Sequence, residues 1–291
     1  MPGSLDQIAQ LVVNGLVAGT VLAVPAIGFT AIYAVLRFPN FSVASHATIG
    51  AFAGYVVNTA WHWPAWAAVA AAFVVAGAAG VVNDRLVLRP LRPAGALTTA
   101  IGAVALTIVL ENVVRFVFGN DLRGYDLPIR RDWQWGPLRI GPQQVENLVI
   151  AVVAMLAVFV FLAFTRTGKA MRAVADDTTL ASLKGIDAER VARLTNFGGM
   201  GLAGVGGMLL GLDTSIDPLT GFRVILSVFA AAVVGGLGSI PGAVVGALTI
   251  GLAEELSLVS LAPAYRTAVG FVAILLVLTL RPRGLLGERA Y

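Results

Sequence analysis

The stretch Phe222–Leu256, FRVILSVFAAAVVGGLGSIPGAVVGALTIGLAEEL, decides how this chain folds. It holds 35 residues and is almost wholly apolar outside its ends. A helix needs roughly 20 apolar residues to cross a bilayer, so the stretch is too long for one upright span. Gly235, Gly236 and Gly238, followed by Pro241 and Gly242, stand at its middle. Glycines at that density, then a proline, break a helix cheaply. The reading is two half-length helices around an irregular turn, with one long tilted helix as the alternative. Irregular backbone at membrane depth is tolerated only where protein buries it or water reaches it. Glu254 and Glu255 are read as following the second half-helix, near the outer interface.

The rest of the chain carries the same signature. Of its 291 residues, 58% are hydrophobic and only 12% charged, and the mean hydropathy is +0.85. A soluble domain is about a quarter charged; this chain lacks the polar surface for that state. Apolar segments near 8–36, 41–60, 65–83, 95–118, 145–164, 192–212 and 264–280 join 222–256 to predict an all-α polytopic bundle of about eight transmembrane segments. It is read as a single transmembrane domain over 1–291, with a broken or re-entrant pair around 235–242. The start, Met1–Gln10, has Asp6 and no basic residue, so a retained span is expected rather than a cleaved leader. Dense Gly and Ala predict closely packed helices.

Basic residues set the expected orientation. Arg85, Arg89 and Arg92 fall in one short loop, where Pro90 and Pro93 are expected to end any helix. Arg166, Lys169, Arg172, Lys184, Arg190 and Arg193 fall in another, and Arg281, Arg283 and Arg289 near the C-terminus. All three places read as cytoplasmic, with the N-terminus outside. The segment 119–142 also carries Arg123, Arg130, Arg131 and Arg139. It lies one span from each cytoplasmic loop, so it is read as a folded external loop, with Trp133 and Trp135 at the interface. A net charge of +4 therefore reports orientation, and no nucleic-acid partner is expected.

Chemistry is sparse. Without cysteine, and with only His46 and His62, neither disulfides nor a metal site is expected. No phosphate-binding GxxxxGK[ST] loop and no HExxH or GxSxG motif occurs, so an enzyme is not expected and ATP is not bound by that route. Ionisable residues at membrane depth are functional candidates by default. Glu111 and Arg115, four apart on one helix face, are read as a pair or as lining a path. Pro39 and Asn40 interrupt two apolar runs and are followed by Ser42, Ser45, His46 and Thr48. Broken helices of this kind are where transporters build polar contacts; a capped cytoplasmic turn is the plainer alternative. His46 reads as a packing residue. Path candidates are Asn14, Tyr33, Asn40, Ser42, Ser45, Glu111 and Asn112, with half-helix N-termini able to favour a carboxylate.

The segment 165–193 concentrates six basic and four acidic residues. Gly168–Ala175 has helical spacing, Asp176–Thr178 supplies capping residues, and Thr179–Lys184 forms a further turn ended by Gly185. Asp187 offers an N-cap for the next helix. A short amphipathic helix between two spans asks for a partner surface; the alternative is a solvated connection.

These residues resemble the permease subunits of branched-chain amino acid ABC importers along essentially the whole chain. The likeness is carried by NGLVAG (Asn14–Gly19), GFTAIYAVLRFPNF (Gly28–Phe41), TRTGKAMRAVADDTTLASLKGI (165–186), AAVVGGLGSIPGAVVGALTIGLAEE (Ala231–Glu255) and RPRGLLG (Arg281–Gly287). The resemblance implies that 165–190 is a cytoplasmic coupling loop, with Arg172, Asp176, Asp177, Leu183 and Gly185 in or beside the contact with an ATP-binding subunit. It further implies a second permease, in a heterodimer, two ATP-binding subunits that hold the ATP–Mg, a periplasmic or lipid-anchored solute-binding protein and a bacterial inner-membrane location. Where the family commonly has an Ala-His-Gly-Glu-like run after the Asn-Phe pair, this chain has Ser42-Val43-Ala44-Ser45. That departure bears on substrate: related permeases take urea, short amides, or aromatic and dicarboxylic acids. An ion-coupled secondary transporter is the reading from another class. It would need buried acids for the coupling ion.

Overall fold

A computed structural model describes residues 3–127, 131–136, 138–281 and 284–287. Arg130, Arg283 and Arg289, three of the basic residues used to orient the chain, lie outside the described residues. Helix follows helix: α1 (Gly3–Leu36), α2 (Val43–Thr59), α3 (Ala65–Asn83), α4 (Arg89–Leu91), α5 (Ala96–Phe118), α6 (Pro142–Phe164), α7 (Arg166–Asp176), α8 (Thr178–Leu183), α9 (Ala188–Asp213), α10 (Thr220–Gly235), α11 (Ile240–Leu256) and α12 (Arg266–Leu280). Among the described residues, five helical stretches are long and apolar enough to cross a membrane: Asp6–Leu36, Ala65–Ala94, Ala96–Phe118, Pro142–Phe164 and Ile240–Val259. α10 and α12 are shorter apolar helices.

Glycine decides the core. α9 is its axis, with α1, α2 and α3 laid along it. A Cβ on Gly50 of α2 would stand 2.1 Å from Gly204 Cα of α9, and one on Gly28 of α1 would stand 2.3 Å from the Gly199 carbonyl oxygen. α11 meets α1 in the same manner, Gly251 against Gly19. Without a hydrophobic effect to separate helix from lipid, such close backbone approach supplies the dispersion contact that holds the bundle. Single amides pin the seams: Asn196 Nδ2 donates to the Gly80 carbonyl (2.9 Å) and Asn147 Nδ2 to that of Leu209 (3.1 Å).

The expectation for 222–256 resolves into a helical hairpin. α10 and α11 are joined by residues 236–239, with Gly236 at φ 110° and Gly238 at φ 94°. Such angles strain any side-chain-bearing residue. Ser239 Oγ caps α11 by accepting from Gly242 N–H (3.1 Å). Glu254 and Glu255 do not follow α11; they lie in its last turn and are buried.

Prolines 90 and 93 do not end the α3 run either. The helix passes through a π-turn at Asp84–Leu88, then α4, then a 3-10 turn at Arg92–Ala94, and stops at Gly95 with φ 104°. Each proline sits in the first turn of its short segment, where its missing N–H is not called upon.

One end of the bundle carries the 119–141 loop, which holds a two-stranded antiparallel hairpin, β1 (Trp133–Trp135) and β2 (Leu138–Ile140). Arg139 N–H donates to Gln10 Oε1 (2.8 Å), and Gln10 Nε2 donates back to the Arg139 carbonyl (2.9 Å). Arg123 exchanges backbone bonds with Ile216, its guanidinium donates to the Phe118 carbonyl (2.6 Å), and it lies over the Tyr55 ring. Burial pushes the Tyr125 phenol above its ordinary range, and its hydroxyl donates to the Ala51 carbonyl (2.6 Å). The Arg123 side chain and the Arg139 backbone are thus structural fasteners of this loop. The other end carries α7 and α8.

Candidate translocation path and coupling surface

The chain breaks between α1 and α2. Arg37 takes φ 58°, and its guanidinium donates to the Ala175 carbonyl at the end of α7. Left-handed backbone costs a non-glycine residue about 1 kcal/mol, and here it aims the side chain at the loop. Asn40 then makes a buried Asx turn, its Oδ1 accepting from Ser42 N–H (3.1 Å) and Ser42 Oγ (2.7 Å). The Ser42 carbonyl in turn accepts from Ser45 Oγ (2.9 Å) and from His46 Nδ1 (2.7 Å). A carbonyl can only accept, so the proton sits on Nδ1, and His46 Nε2 accepts from Asn83 Nδ2 at 3.2 Å. Thr107 Oγ1 of α5 reaches the Phe41 carbonyl (3.2 Å). The polar break therefore faces the interior, and His46 is a bonded packing residue.

A second break, residues 214–219, delivers α10 to the same place. Gly221 N–H donates to Thr48 Oγ1 (3.0 Å). Phe229 packs on Phe29 and Phe41, with ring centroids 5.9 and 5.5 Å away. The starts of α2 and α10 thus meet. Their first donors are already taken, since Ser42, Val43 and Ala44 N–H bond within residues 40–41 and Gly221 N–H bonds Thr48. Those four N–H groups are therefore not free to bind a carboxylate.

The seven path candidates fall in different places. Asn40, Ser42 and Ser45 form one buried cluster. Glu111 is buried on α5 with Oε1 lacking a hydrogen-bond partner, as does Arg115 Nε. The Glu111–Arg115 pair expected from their spacing is no ion pair among the described residues, because the i, i+4 offset brings helix positions together without fixing side-chain rotamers. Asn112, next along α5, points outward and donates to the Ile108 carbonyl (2.7 Å). Tyr33 is half-buried on α1, and Asn14, near the other end of that helix, accepts from Gln10 Nε2 (2.9 Å). α5 exposes a long apolar face around Asn112, with Phe116 at 92%. α6 also stands out from the bundle. It leaves a groove of about 860 Å³ against α3 and α9, lined almost wholly by apolar groups such as Phe73, Val153, Phe161 and Leu202.

Sequence reasoning missed the acidic site at the far end of the hairpin. Ser227 Oγ of α10 donates to Glu254 Oε1 (2.6 Å), and Arg266 of α12 pairs with both Glu254 (3.6 Å) and Glu255 (2.5 Å). Two adjacent glutamates on a helix opposite an arginine that opens the next one were the available signal. The arrangement staples α10, α11 and α12.

The α7–α8 element is built from its caps. Thr165 Oγ1 accepts from Gly168 N–H (2.9 Å), so α7 turns sharply off α6. Asp177 Oδ1 accepts from Thr179 and Leu180 N–H (2.8 and 2.9 Å). Asp176 closes α7 as its last residue, and only Asp177 caps. Gly185 at φ 83° ends α8, and Ile186 N–H returns to the Ala181 carbonyl (3.1 Å), a Schellman closure. Asp187 caps α9 through Arg190 N–H (3.0 Å). Met171, Val174, Ala181 and Val191 bury one face. The opposite face exposes Arg172, Asp176, Asp177, Gly185 and Leu183 (79%). Leu180 (55%) belongs with them, one turn before Leu183. The capped helix α8 thus leaves two apolar side chains exposed on one face.

With that geometry in place, the model of the permease component of branched-chain amino acid transport systems matches residues 11–280. The chain belongs to this permease family. Similar proteins include the high-affinity branched-chain amino acid transport system permease protein LivH of Escherichia coli K12. It is 36% identical over 96% of this chain and 95% of its own length. BraD of Pseudomonas aeruginosa, named for the same transport, is 32% identical over 99% and 98%. A probable LivH of Methanocaldococcus jannaschii is 27% identical over 96% and 92%. Among solved structures, PsaBC from Streptococcus pneumoniae in complex with a Fab shares the fold, with a TM-score of 0.50 at 14% identity over 93% of the permease and 91% of that chain.

Proposed function

We propose that the permease is the membrane subunit of an ATP-driven importer that moves branched-chain amino acids into the cytoplasm. The observation that carries this is the α7–α8 element, a rigidly capped, partly apolar projection between the long helices α6 and α9. ATP-binding subunits press on Arg172, Asp176, Leu180 and Leu183, and α7 passes the movement to α1 through Arg37 and the Ala175 carbonyl. Residues 165–190 act as the coupling loop within a single domain of 1–291. The protein crosses the inner membrane about eight times, with its N-terminus outside and α7–α8 and the C-terminus in the cytoplasm. A second, different permease covers the exposed face of α5, so that Asn112 and the nearby Glu111 line a path shared by two chains. A solute-binding protein delivers the substrate, and the polar break at Asn40–Ser45 opens as the helices rock. ATP and magnesium are held by the partners.

The test is the assembled complex in proteoliposomes. Leu180→Asp with Leu183→Asp should abolish binding-protein-stimulated ATP hydrolysis and leucine uptake, while the purified permease stays folded. Uptake by this chain alone under an ion gradient, without ATP, overturns the proposal.

A further inference from the structure

A second polar feature lies at the α7–α8 end, away from the coupling face. The foot of α3, the π-turn and α4 lean on the start of α9 and enclose a cavity of about 160 Å³, lined by Val81, Asp84, Arg85, Arg89, Arg92, Glu189, Ala192 and Arg193. Arg92 is paired with buried Asp84, and Arg89 with Glu189. Arg85 and Arg193 have no ion-pair partner among the described residues. Four guanidinium groups against two carboxylates leave an excess of two positive charges around one small cavity. The Arg92 Nε is buried and makes no hydrogen bond.

The apolar surroundings choose the occupant. Val82 and Leu86 (70% exposed), four apart, form a short exposed aliphatic stripe where α3 enters its π-turn, with Arg85 and Arg89 close by in sequence. Leu194 is exposed directly after Arg193 on α9. Cations at helix ends with exposed aliphatic groups on the membrane side match a lipid, chains along the stripe and phosphate at the guanidiniums. We propose that this cavity binds the phosphate headgroup of an anionic phospholipid. The inner leaflet follows from the orientation proposed above, but the site itself does not depend on it.

The test uses the full chain in nanodiscs or neutral detergent, with retained phosphatidylglycerol and phosphatidylcholine measured by native mass spectrometry. Arg85→Gln combined with Arg193→Gln leaves both ion pairs intact. Wild type should retain phosphatidylglycerol in preference to phosphatidylcholine, and the double variant should hold it roughly 10- to 30-fold more weakly, at about 1 kcal/mol per arginine. Arg131→Gln, at the opposite end, should change nothing; an equal loss there would mean diffuse attraction and overturn the site. Displacement of the lipid by millimolar inorganic phosphate would assign the cavity to a free anion instead. Unchanged lipid retention with loss of ATPase-subunit binding would assign it to a protein, and equally overturn the proposal. All of these outcomes are read without transport, so they stand apart from the proposed importer function.

Discussion

Two interruptions of the helical run, residues 37–42 and 236–239, solve one problem by largely opposite means. The first is satisfied by side chains: Asn40, Ser42, Ser45, His46 and Thr107 take up its backbone groups. The second is satisfied by backbone. Its helices close to where a Cβ on Gly235 would stand 2.0 Å from the Gly242 carbonyl oxygen, and one on Gly246 2.0 Å from that of Ala231. The open end of α10 is then bonded by the C-terminal segment, Leu285 N–H to the Val234 carbonyl (2.8 Å) and Leu286 N–H to that of Gly235 (2.9 Å). Gly284, at φ 78°, lies against Gly236. Side-chain bonds exchange by rotamer change, whereas interlocked backbone has no such freedom. The contrast predicts that the 236–239 hairpin stays fixed while the 37–42 break rearranges.

The contrast breaks if substitutions at the two sites behave alike. The largest effect is expected from Gly235→Val or Gly246→Val, where the added atoms meet backbone. Destabilisation of about 3 kcal/mol should appear as a large fall in the thermal unfolding midpoint in detergent, with loss of uptake. Leu285→Pro removes one donor from the end of α10 and should cost about 2 kcal/mol. It should also speed hydrogen exchange at 231–235 without affecting residues 40–46. Asn40→Leu should cost about 1 kcal/mol yet leave the protein folded, with the uptake rate changed more than stability. Smallest is Thr107→Val, at about 0.5 kcal/mol. If Asn40→Leu and Thr107→Val alter unfolding but never transport, the polar break is merely structural.

Much of this was legible from local chemistry. Four glycines and a proline within eight residues require a broken helix wherever they are placed, and Asp177, Gly185 and Asp187 mark helix ends through bonds to residues two to four positions away. Pro90 and Pro93 misled because a proline forbids only one N–H bond, and a change to π and 3-10 pitch moved that position off the ladder. The Glu111–Arg115 spacing likewise stated which side chains were near, not whether they turned toward each other.

What the sequence determined by itself was the solvent, the breaks and the caps, since each depends on composition or on neighbours within about one helical turn. Tertiary structure alone decided which groups satisfied those breaks. Phe41 found Thr107, Thr48 found Gly221, Glu254 found Arg266, and the α10 carbonyls found Leu285 and Leu286. Three of the four join elements distant in the chain, and Glu254 with Arg266 joins consecutive helices. A buried backbone group away from water must take a partner, but its chemistry states only that a donor or acceptor is needed. The packing of glycine against backbone selected which one arrived.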